Sequence, residues 1–436
     1  MSSDAAAAGA GKRSGARKSW PQRLFQGMQK MGRSLQLPIA VLPAAGILNR
    51  LGQDDVFGAT GLGWDDVAKV FAGAGGALLD SSLGLPLLFC VGVAIGMAKK
   101  ADGSTALAAV TGFLVYYNIL HQFPDCSSGA EFTSGTCLKG SSADPATYQN
   151  PGVFGGIVMG LLSAWFWQRF HRVKLVDWLG FFNGRRLVPI LMSFVALVFA
   201  VLCLWVWPPV GNALTTFSEW LTDLGSTGSG VFGVANRALL VIGLHQFLNT
   251  FMWFQFGDFT KPDGSVVHGD INRFLAGDPS AGQFTSGFFP IMMFALPAAA
   301  LAITHCARPE NRKVIGGMML SVGLTSFVTG VTEPIEYSFL FIAPVLYGLH
   351  AVLTGVSMAV TWAFGVHDGF SFSAGLIDYV INWSLATKPW LIIPIGLCFA
   401  VVYYALFRFA IVKFDLSTPG REPEELAEEI EQQNVR

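Results

Sequence analysis

Apolar and polar residues alternate in long blocks along the 436 residues of this chain, and ten apolar blocks are candidate membrane spans. A helix needs about 20 apolar residues to cross the hydrocarbon core of a bilayer. Three intervals of roughly 30 residues contain no Asp, Glu, Lys or Arg. The pattern predicts an all-α polytopic membrane protein with about ten transmembrane helices. The predicted spans are residues 35–51, 77–98, 104–121, 152–169, 187–210, 230–256, 288–306, 314–331, 337–366 and 390–413.

The composition agrees with a lipid environment. Hydrophobic residues make up 52% of the chain and charged residues 13%, against about 25% charged residues in soluble domains. The formal net charge of −1 leaves no excess of basic residues for a polyanion. These values exclude an ordinary soluble enzyme, a nucleic-acid-binding protein and a disordered chain. The bilayer is therefore the first expected partner.

Basic residues are unevenly distributed among the predicted loops. The first 34 residues carry seven Lys or Arg and one Asp, without the apolar core of a cleavable signal peptide. Cytoplasmic loops of membrane proteins are enriched in Lys and Arg. We therefore expect a cytosolic N-terminal tail at 1–33, an external loop at 122–150 and an acidic cytosolic tail at 415–436.

The six cysteines show no C-x-x-C spacing that would indicate a metal or redox site. Cys126 and Cys137 lie in the predicted external loop. An external location permits a disulfide and a cytosolic location disfavours it, so the pairing stays open. The other four lie in apolar blocks, where small buried side chains are expected: Cys90, Cys203, Cys306 and Cys398.

The second half of the chain is less regular than the first. Residues 257–287 and 367–388 are too polar and glycine-rich to span a bilayer, although they lie between strongly apolar blocks. Irregular backbone at membrane depth is tolerated only where it is buried in protein or lines a cavity. Because transporters build substrate sites from interrupted helices, we expect a substrate site in this half.

The clearest candidate for chemistry is the string G-V-T-E-P-I-E-Y at 330–337. A carboxylate among membrane segments costs at least about 2.5 kcal/mol and usually marks a pathway or a binding site. Pro334 lacks an N–H and disfavours helix at Glu333. This predicts that backbone groups of Thr332 and Ile335 are free to meet a ligand. The alternative is an interfacial loop with solvated carboxylates.

A second candidate is a polar stripe at Arg237, His245 and Asn249. In a continuous helix, spacings of eight and four residues place the three side chains on one face. Directional donors and acceptors suit sugar hydroxyls, and Trp253 offers an aromatic platform for a pyranose ring. The alternative is a core histidine whose hydrogen bonds are satisfied, beside an interfacial arginine.

A third polar cluster, V-H-D-G-F-S-F-S-A-G at 366–375, contains His367. It lines a cavity or forms a polar turn, and both interpretations stay open. A metal site within 257–287 would need a convergence that the sequence does not show, so a solvated loop is preferred and neither metal nor cofactor is predicted. The polar residues of that loop are Asp258, His268, Asp270 and Asp278.

Three strings carry a family resemblance: S-L-Q-L-P-I-A-V-L-P-A-A-G at 34–46, G-L-H-Q at 243–246 and G-V-T-E-P-I-E at 330–336. They resemble the membrane component, enzyme IIC (EIIC), of the bacterial sugar phosphotransferase system. The resemblance extends over residues 33–413, and the third string is highly specific.

Further strings resemble the N-acetylglucosamine group more than the glucose group. Two residues depart from the family pattern. Gln246 stands where relatives commonly carry a second histidine, and Asp368 separates a histidine from the glycine that is expected directly after it. The strings that favour the subgroup lie at 245–259, 269–274 and 367–382.

The resemblance implies a homodimer in the bacterial plasma membrane, with both termini cytosolic. It implies a scaffold and dimerisation domain at 34–228 and a sugar-binding transport domain at 229–414, with re-entrant hairpins, one carrying the T-E-P motif. Family members move the sugar-binding half like an elevator. A soluble EIIB domain phosphorylates the C6 hydroxyl of the sugar, and EIIA, HPr and enzyme I act upstream.

The family motifs also imply roles for individual residues. Glu333 and His245 are expected to act at the C6 hydroxyl, with Arg237 close by. Positioning supplies most of the catalysis in phosphoryl transfer, and whether Glu333 is a base or an orienting acceptor stays open. The expected substrate-binding set is Arg237, His245, Asn249, Thr332, Glu333, Ile335 and His367.

Several functions stay open beside transport of N-acetylglucosamine. The same machinery could serve glucose or a glucoside. An ion-coupled symporter, with Glu333 or Asp258 carrying a proton, and a sugar sensor without transport belong to other classes. No cysteine has the reactive-thiol context of an EIIB domain, so the phosphoryl donor is expected on a separate EIIB protein.

Overall fold

Helices dominate the described part of the chain. A computed structural model describes residues 31, 34–35, 38, 41–79, 83–122, 131–133, 136–138, 151–241, 245–261, 264, 266–340 and 342–421. Cys126 lies outside these residues, so its pairing with Cys137 stays an open prediction. Most of both predicted tails also lies outside them.

The first half contains six helices among its described residues, and local signals explain several of their ends. Asp102 caps the fourth helix by accepting a hydrogen bond from the Ser104 N–H, while Thr105 reaches back to the Asp102 N–H. The helices are α1 (Leu42–Leu51), α2 (Asp65–Leu79), α3 (Gly84–Met97), α4 (Gly103–Leu120), α5 (Val153–Phe170) and α6 (Leu187–Asp223). Antiparallel strands β1 (Glu131–Thr133) and β2 (Thr136–Leu138) precede α5, and 3-10 turns at Asp177–Phe182 and Gly184–Arg186 precede α6.

The second half has shorter and more interrupted helices. A π-helical turn at Pro290–Ala295 leads into the tenth helix, and a 3-10 turn at Pro389–Leu391 leads into the last. The helices are α7 (Ser226–Leu240), α8 (His245–Phe254), α9 (Asp270–Leu275), α10 (Leu296–Cys306), α11 (Arg312–Thr329), α12 (Glu333–Leu340), α13 (Pro344–Ala363), α14 (Leu376–Ile381) and α15 (Ile392–Lys413). Antiparallel strands β3 (Asp258–Thr260) and β4 (Val266–His268) form a hairpin after α8.

Four helical segments among the described residues are long and apolar enough to cross a bilayer. The helices α2 and α3 add a fifth if they count as one span, bent by 49°. A membrane protein is therefore confirmed in outline, whereas the predicted number of about ten spans is not. The four segments are Gly103–Leu120, Gly184–Asp223, Pro344–Ala363 and Pro389–Lys413.

Glycines bring α7 and α13 into close contact. A Cβ atom on Gly233 would lie 3.0 Å from the Gly355 Cα atom, and one on Gly355 would lie 2.7 Å from the Gly230 carbonyl oxygen. Small residues allow such close backbone approach between membrane helices. The contact fixes α7, and with it Arg237, against the polar side chains of α13.

The helix α1 packs against the second half of the chain. A Cβ atom on Gly46 would lie 2.8 Å from the backbone of Ser371, so α1 needs glycine there. The buried Arg50 donates from Nε to the Asn382 Oδ1 atom at 2.8 Å. One hydrophobic core likewise contains residues of both halves, including Phe89 and Phe232. The predicted domain boundary at 228/229 stays a prediction.

Candidate functional site

A cavity of about 410 Å³ lies where α1, α7 and α8 meet the turn between α11 and α12. Small-molecule sites commonly measure roughly 300–1,000 Å³. The segment 372–373 completes its wall. The structure thus gathers five of the predicted site residues around one cavity: Arg237, His245, Asn249, Thr332 and Glu333.

The turn that carries Glu333 is shaped by a glycine. Gly330 ends α11 with a left-handed φ of 72°, which other residues rarely adopt. A Cβ atom there would also lie 2.6 Å from the Ser373 Oγ atom. Ser373 donates from Oγ to the Gly330 carbonyl at 2.8 Å, so the turn and the segment 372–373 are held together.

The prediction that Pro334 frees neighbouring backbone groups is wrong for Thr332 and Ile335. The Ile335 N–H donates to the Thr332 carbonyl at 3.1 Å, and the Glu336 N–H donates to the same carbonyl at 2.9 Å. The reason is that α12 begins at Glu333, and its first turn uses these groups. The Ile335 side chain is buried and is not part of the cavity lining, whereas Thr332 and Glu333 are.

Arg237 and His245 lie on different helices, which contradicts the predicted continuous register. The first lies near the end of α7, and the second begins α8. Tertiary packing, rather than helical spacing, brings them to one cavity. His245 and Asn249 do share a face of α8, and both line the cavity. Asn236 links the two helices by donating from Nδ2 to the Asn249 Oδ1 atom.

The neighbour of His245 contacts one of its ring nitrogens. The Gln246 Nε2 atom lies 3.1 Å from the His245 Nε2 atom. An amide nitrogen only donates, so the imidazole Nε2 accepts in this arrangement. His245 is 8% exposed, and its Nδ1 atom is buried without a hydrogen-bond partner among the described residues. The hydrogen-bonding capacity of the ring is therefore only partly used by the protein.

Arg237 is held by a buried polar chain that the sequence analysis did not predict. It donates from Nη1 to the Glu336 Oε1 atom at 2.7 Å, and His350 Nε2 lies 3.2 Å from that same oxygen. The His350 Nδ1 atom lies 3.0 Å from the Tyr403 hydroxyl. The Tyr347 hydroxyl donates to the Arg237 carbonyl at 2.6 Å. The buried polar chain of side chains thus fixes both the guanidinium and the backbone of Arg237.

Aromatic and aliphatic side chains line the cavity beside these polar groups. They are Trp253 and Phe372, together with Leu42 and Pro43 of α1. The Trp253 indole donates from Nε1 to the Phe284 carbonyl at 3.1 Å, which fixes the ring. A lining that combines donors and acceptors with aromatic and aliphatic groups matches the two kinds of surface that a pyranose presents.

The third predicted cluster is only partly at the cavity. His367 is not among the lining residues, because its Nδ1 atom lies 3.1 Å from the Ala281 carbonyl and its ring packs on Trp362. Its backbone N–H donates to the Thr387 carbonyl, and its carbonyl accepts from the Thr387 N–H. From this cluster only Phe372 and Ser373 line the cavity. The role of His367 in binding sugar stays a prediction.

Asp258 lies outside the cavity, in the hairpin of β3 and β4. Its Oδ1 atom accepts a hydrogen bond from His268 Nδ1 at 2.7 Å, which lowers the pKa of the Asp258 carboxyl below its ordinary value. Asp278 is paired with Arg273, and Asp270 accepts from the backbone of Gly282. These contacts make Asp258 a poor proton carrier for the symporter hypothesis. They also assign Asp270 and Asp278 structural roles.

The chain matches known proteins over most of its length. The sequence model of the phosphotransferase system EIIC family matches residues 32–355. An N-acetylglucosamine-specific EIIC component of Streptomyces coelicolor is 68% identical over 407 residues, which cover 93% of this chain and 95% of that protein. An N-acetylglucosamine-specific EIICB component of Bacillus subtilis is 42% identical, over 94% of this chain and 82% of its own length.

Two further comparisons extend this picture. An N-acetylglucosamine-specific EIICBA component of Escherichia coli is 46% identical over 91% of this chain, which matches 56% of that longer protein. The crystal structure of the transporter ChbC, the IIC component from the N,N'-diacetylchitobiose-specific phosphotransferase system, superposes with a TM-score of 0.52. The match covers 89% of this chain and 92% of that one at 15% identity, so this likeness concerns the fold.

Proposed function

Because the chain belongs to the EIIC family of the phosphotransferase system, we propose that it binds and translocates N-acetylglucosamine across the bacterial plasma membrane. Transport is coupled to phosphorylation of the sugar C6 hydroxyl by a phosphorylated EIIB protein. The N-acetylglucosamine specificity of the relative with 68% identity supports this sugar over glucose. Two longer relatives are EIICB and EIICBA components, in which the EIIC part is joined to EIIB or to EIIB and EIIA. Their composition supports EIIB and EIIA as partners.

The observation that carries the proposal is the convergence of Arg237, His245, Asn249 and Glu333 on one cavity. These side chains come from three separate helices, and they provide a cation, an imidazole, an amide and a carboxylate. Membrane interiors rarely contain ionisable groups unless those groups serve a binding site or a pathway. Trp253 lines the same cavity and supplies an apolar surface on which a sugar ring can pack.

In this proposal Glu333 accepts a hydrogen bond from the C6 hydroxyl, and the His245 imidazole lies beside the sugar. The hydroxyl oxygen attacks the phosphorus of the EIIB phosphocysteine, the P–S bond breaks to release the cysteine thiolate, and the hydroxyl proton passes to Glu333 or to that thiolate. Holding the hydroxyl in line with the P–S bond lowers the barrier mainly by positioning. Arg237, fixed by Glu336, orients the ring so that C6 faces Glu333.

Asn249 distinguishes the acetamido sugar in the same proposal. The acetamido group brings one donor, one acceptor and a methyl group, which a side-chain amide beside an apolar wall can satisfy. The Asn236 contact occupies the Asn249 Oδ1 atom and directs the amide nitrogen as a donor. A site built to hydrogen-bond an amide leaves its own groups unpaired when glucose binds, which disfavours glucose.

Movement and assembly follow the family pattern in this proposal. The transport half moves as an elevator relative to a scaffold half, and two copies form a dimer through the scaffold. Family membership supports both points. The surface of α6 is apolar over much of its length, with Phe194 and Trp205 exposed, which suits contact with lipid or with a second copy.

Vesicle uptake tests the function. Right-side-out or reconstituted vesicles that enclose phosphorylated EIIB are expected to convert external labelled N-acetylglucosamine into internal N-acetylglucosamine 6-phosphate. Uptake of unmodified sugar driven by a pH gradient, without EIIB, would instead establish a symporter. Binding without uptake under both conditions would establish a sensor. Equal competition by unlabelled glucose would overturn the substrate while leaving the transporter class intact.

A further inference from the structure

A second, smaller cavity adjoins the sugar cavity. Its volume is about 30 Å³, and Asn249 is part of its lining. Five residues line both cavities, so the two cavities are direct neighbours. The shared residues are Leu42, Gln246, Asn249, Trp253 and Phe372.

The side cavity has amides where it adjoins the sugar site and a mainly apolar lining elsewhere. The amides of Gln246 and Asn249 lie at the shared boundary. The residues that line only the small cavity include Leu79 of α2, Phe89 of α3 and Ile271 of α9, which are all buried. Two buried hydroxyl residues, Thr250 and Ser371, line it as well. An acyl group held there would lie beside two amides and against mainly hydrocarbon side chains.

We propose that this side cavity receives the acyl group of a 2-acylamido sugar and that its volume sets the acyl length. The inference rests on the proposed function, because it assumes that the main cavity holds the sugar ring. Burial of a methyl group among apolar side chains is favourable, and the amides at the boundary can pair with the amide of the ligand.

The volume argues for a short acyl group. One water-sized group needs roughly 10–15 Å³ of such space, so about 30 Å³ admits an acetyl group. A longer chain would push against Leu79 or Phe89. Both side chains are buried, and forcing an extra methylene into a packed site is unfavourable.

The first test uses the wild-type protein and a series of unlabelled competitors. Glucose, N-acetylglucosamine, N-propionylglucosamine and N-butyrylglucosamine compete against uptake of labelled N-acetylglucosamine in vesicles with phosphorylated EIIB. We expect N-acetylglucosamine to be the strongest competitor and N-propionylglucosamine to be about tenfold weaker, because the added methylene lacks space. Equal potency of the acetyl and propionyl sugars would overturn the inference.

The second test enlarges the side cavity. Leu79→Ala removes hydrocarbon from its apolar end, and Leu240→Ala is the matched control, since Leu240 is an equally buried leucine that lines only the main cavity. We expect Leu79→Ala, and not the control, to improve N-propionylglucosamine relative to N-acetylglucosamine by about tenfold. An unchanged ratio in folded Leu79→Ala protein would contradict the assignment.

The outcomes separate this inference from the function on which it rests. If glucose competes as well as N-acetylglucosamine, the proposed substrate is wrong. If N-acetylglucosamine is preferred while potency is independent of acyl length, the proposed substrate holds and the side cavity is not the acyl site. Should Leu79→Ala fail to fold, the wild-type series still decides, because it needs no variant.

Discussion

The ion pair of Arg237 and Glu336 offers the sharpest test of how the site is organised. Glu336→Gln removes the carboxylate charge and keeps the size of the side chain. Arg237 is 4% exposed and Glu336 is fully buried, with 2.7 Å between Nη1 and Oε1. Removal of one partner from a buried pair costs about 3–5 kcal/mol, because the other charge is left uncompensated.

This cost is divided between folding and sugar binding. Since 1.4 kcal/mol is a factor of ten, the total corresponds to roughly two to three and a half orders of magnitude. Because Arg237 lines the cavity, we expect Glu336→Gln to raise the Kd for N-acetylglucosamine at least about tenfold. Glu336→Asp keeps the charge and is expected to recover part of the affinity. A role in fold stability alone would leave the Kd of the folded fraction unchanged.

A double-mutant cycle with Arg237→Gln, Glu336→Gln and the combined variant measures the coupling. Isothermal titration gives the Kd in detergent, thermal unfolding gives stability separately, and phosphorylation with EIIB gives kcat and KM. Groups in direct contact couple by about 0.5–3 kcal/mol. The exposed Glu310→Gln is the control and should change none of these values. A Kd within twofold of wild type for Glu336→Gln, or additive effects in the cycle, would refute the positioning role.

Three further predictions follow from the cavity and the charge pattern. Glu333→Gln and His245→Ala are each expected to abolish sugar phosphorylation and to weaken binding about tenfold or more, and near-normal turnover in either would show a structural role. Asn249→Ala is expected to reduce the preference for N-acetylglucosamine over glucose about tenfold in competition uptake, whereas an unchanged preference would mean that Asn249 only joins helices. Introduced cysteines at 122–150 should react with an impermeant reagent on intact cells, and labelling at 415–436 would contradict the topology.

Local strings and periodicity predicted different parts of the site. The carboxylate of Glu333 was identified from a short motif, the ring of His245 from both a motif and its spacing to Asn249, and all three residues line the cavity. Periodicity also placed Arg237 and His245 on one continuous helix, which is wrong because α7 ends at Leu240. Residues 238–242 contain no proline, glycine or charged residue that would indicate the end of a helix there.

The buried polar chain could not be predicted because it depends on tertiary packing. Arg237 and Glu336 are 99 residues apart, and no spacing rule connects them. Their contact joins α7 to α12, while His350 of α13 reaches the same carboxylate and α13 packs closely on α7 through Gly230, Gly233 and Gly355. Each of these glycines is unremarkable in a chain with 50 of them. Their importance becomes visible only when two helices are placed together.

The position of α1 bears on how the halves move. Arg50 donates from both terminal nitrogens to Asp55, each at 2.6 Å, and from Nε to Asn382. Ser384 donates from Oγ to the same Asp55 at 2.9 Å. These bonds join α1 and the loop after it to the segment that follows α14.

A movement of residues 229–414 against all of 34–228 would break two hydrogen bonds, the one between Arg50 and Asn382 and the one between Ser384 and Asp55. A hydrogen bond to a charged group contributes about 1.5–3 kcal/mol. Because Arg50 is fully buried, loss of its hydrogen bond to Asn382 would leave the guanidinium short of partners. Leu42 and Pro43 also line the sugar cavity. A movement in which α1 travels with the second half keeps these contacts and carries the cavity intact. In the proposed elevator movement, the moving unit should therefore combine α1 with the second half, although the two are separated by more than 170 residues of sequence.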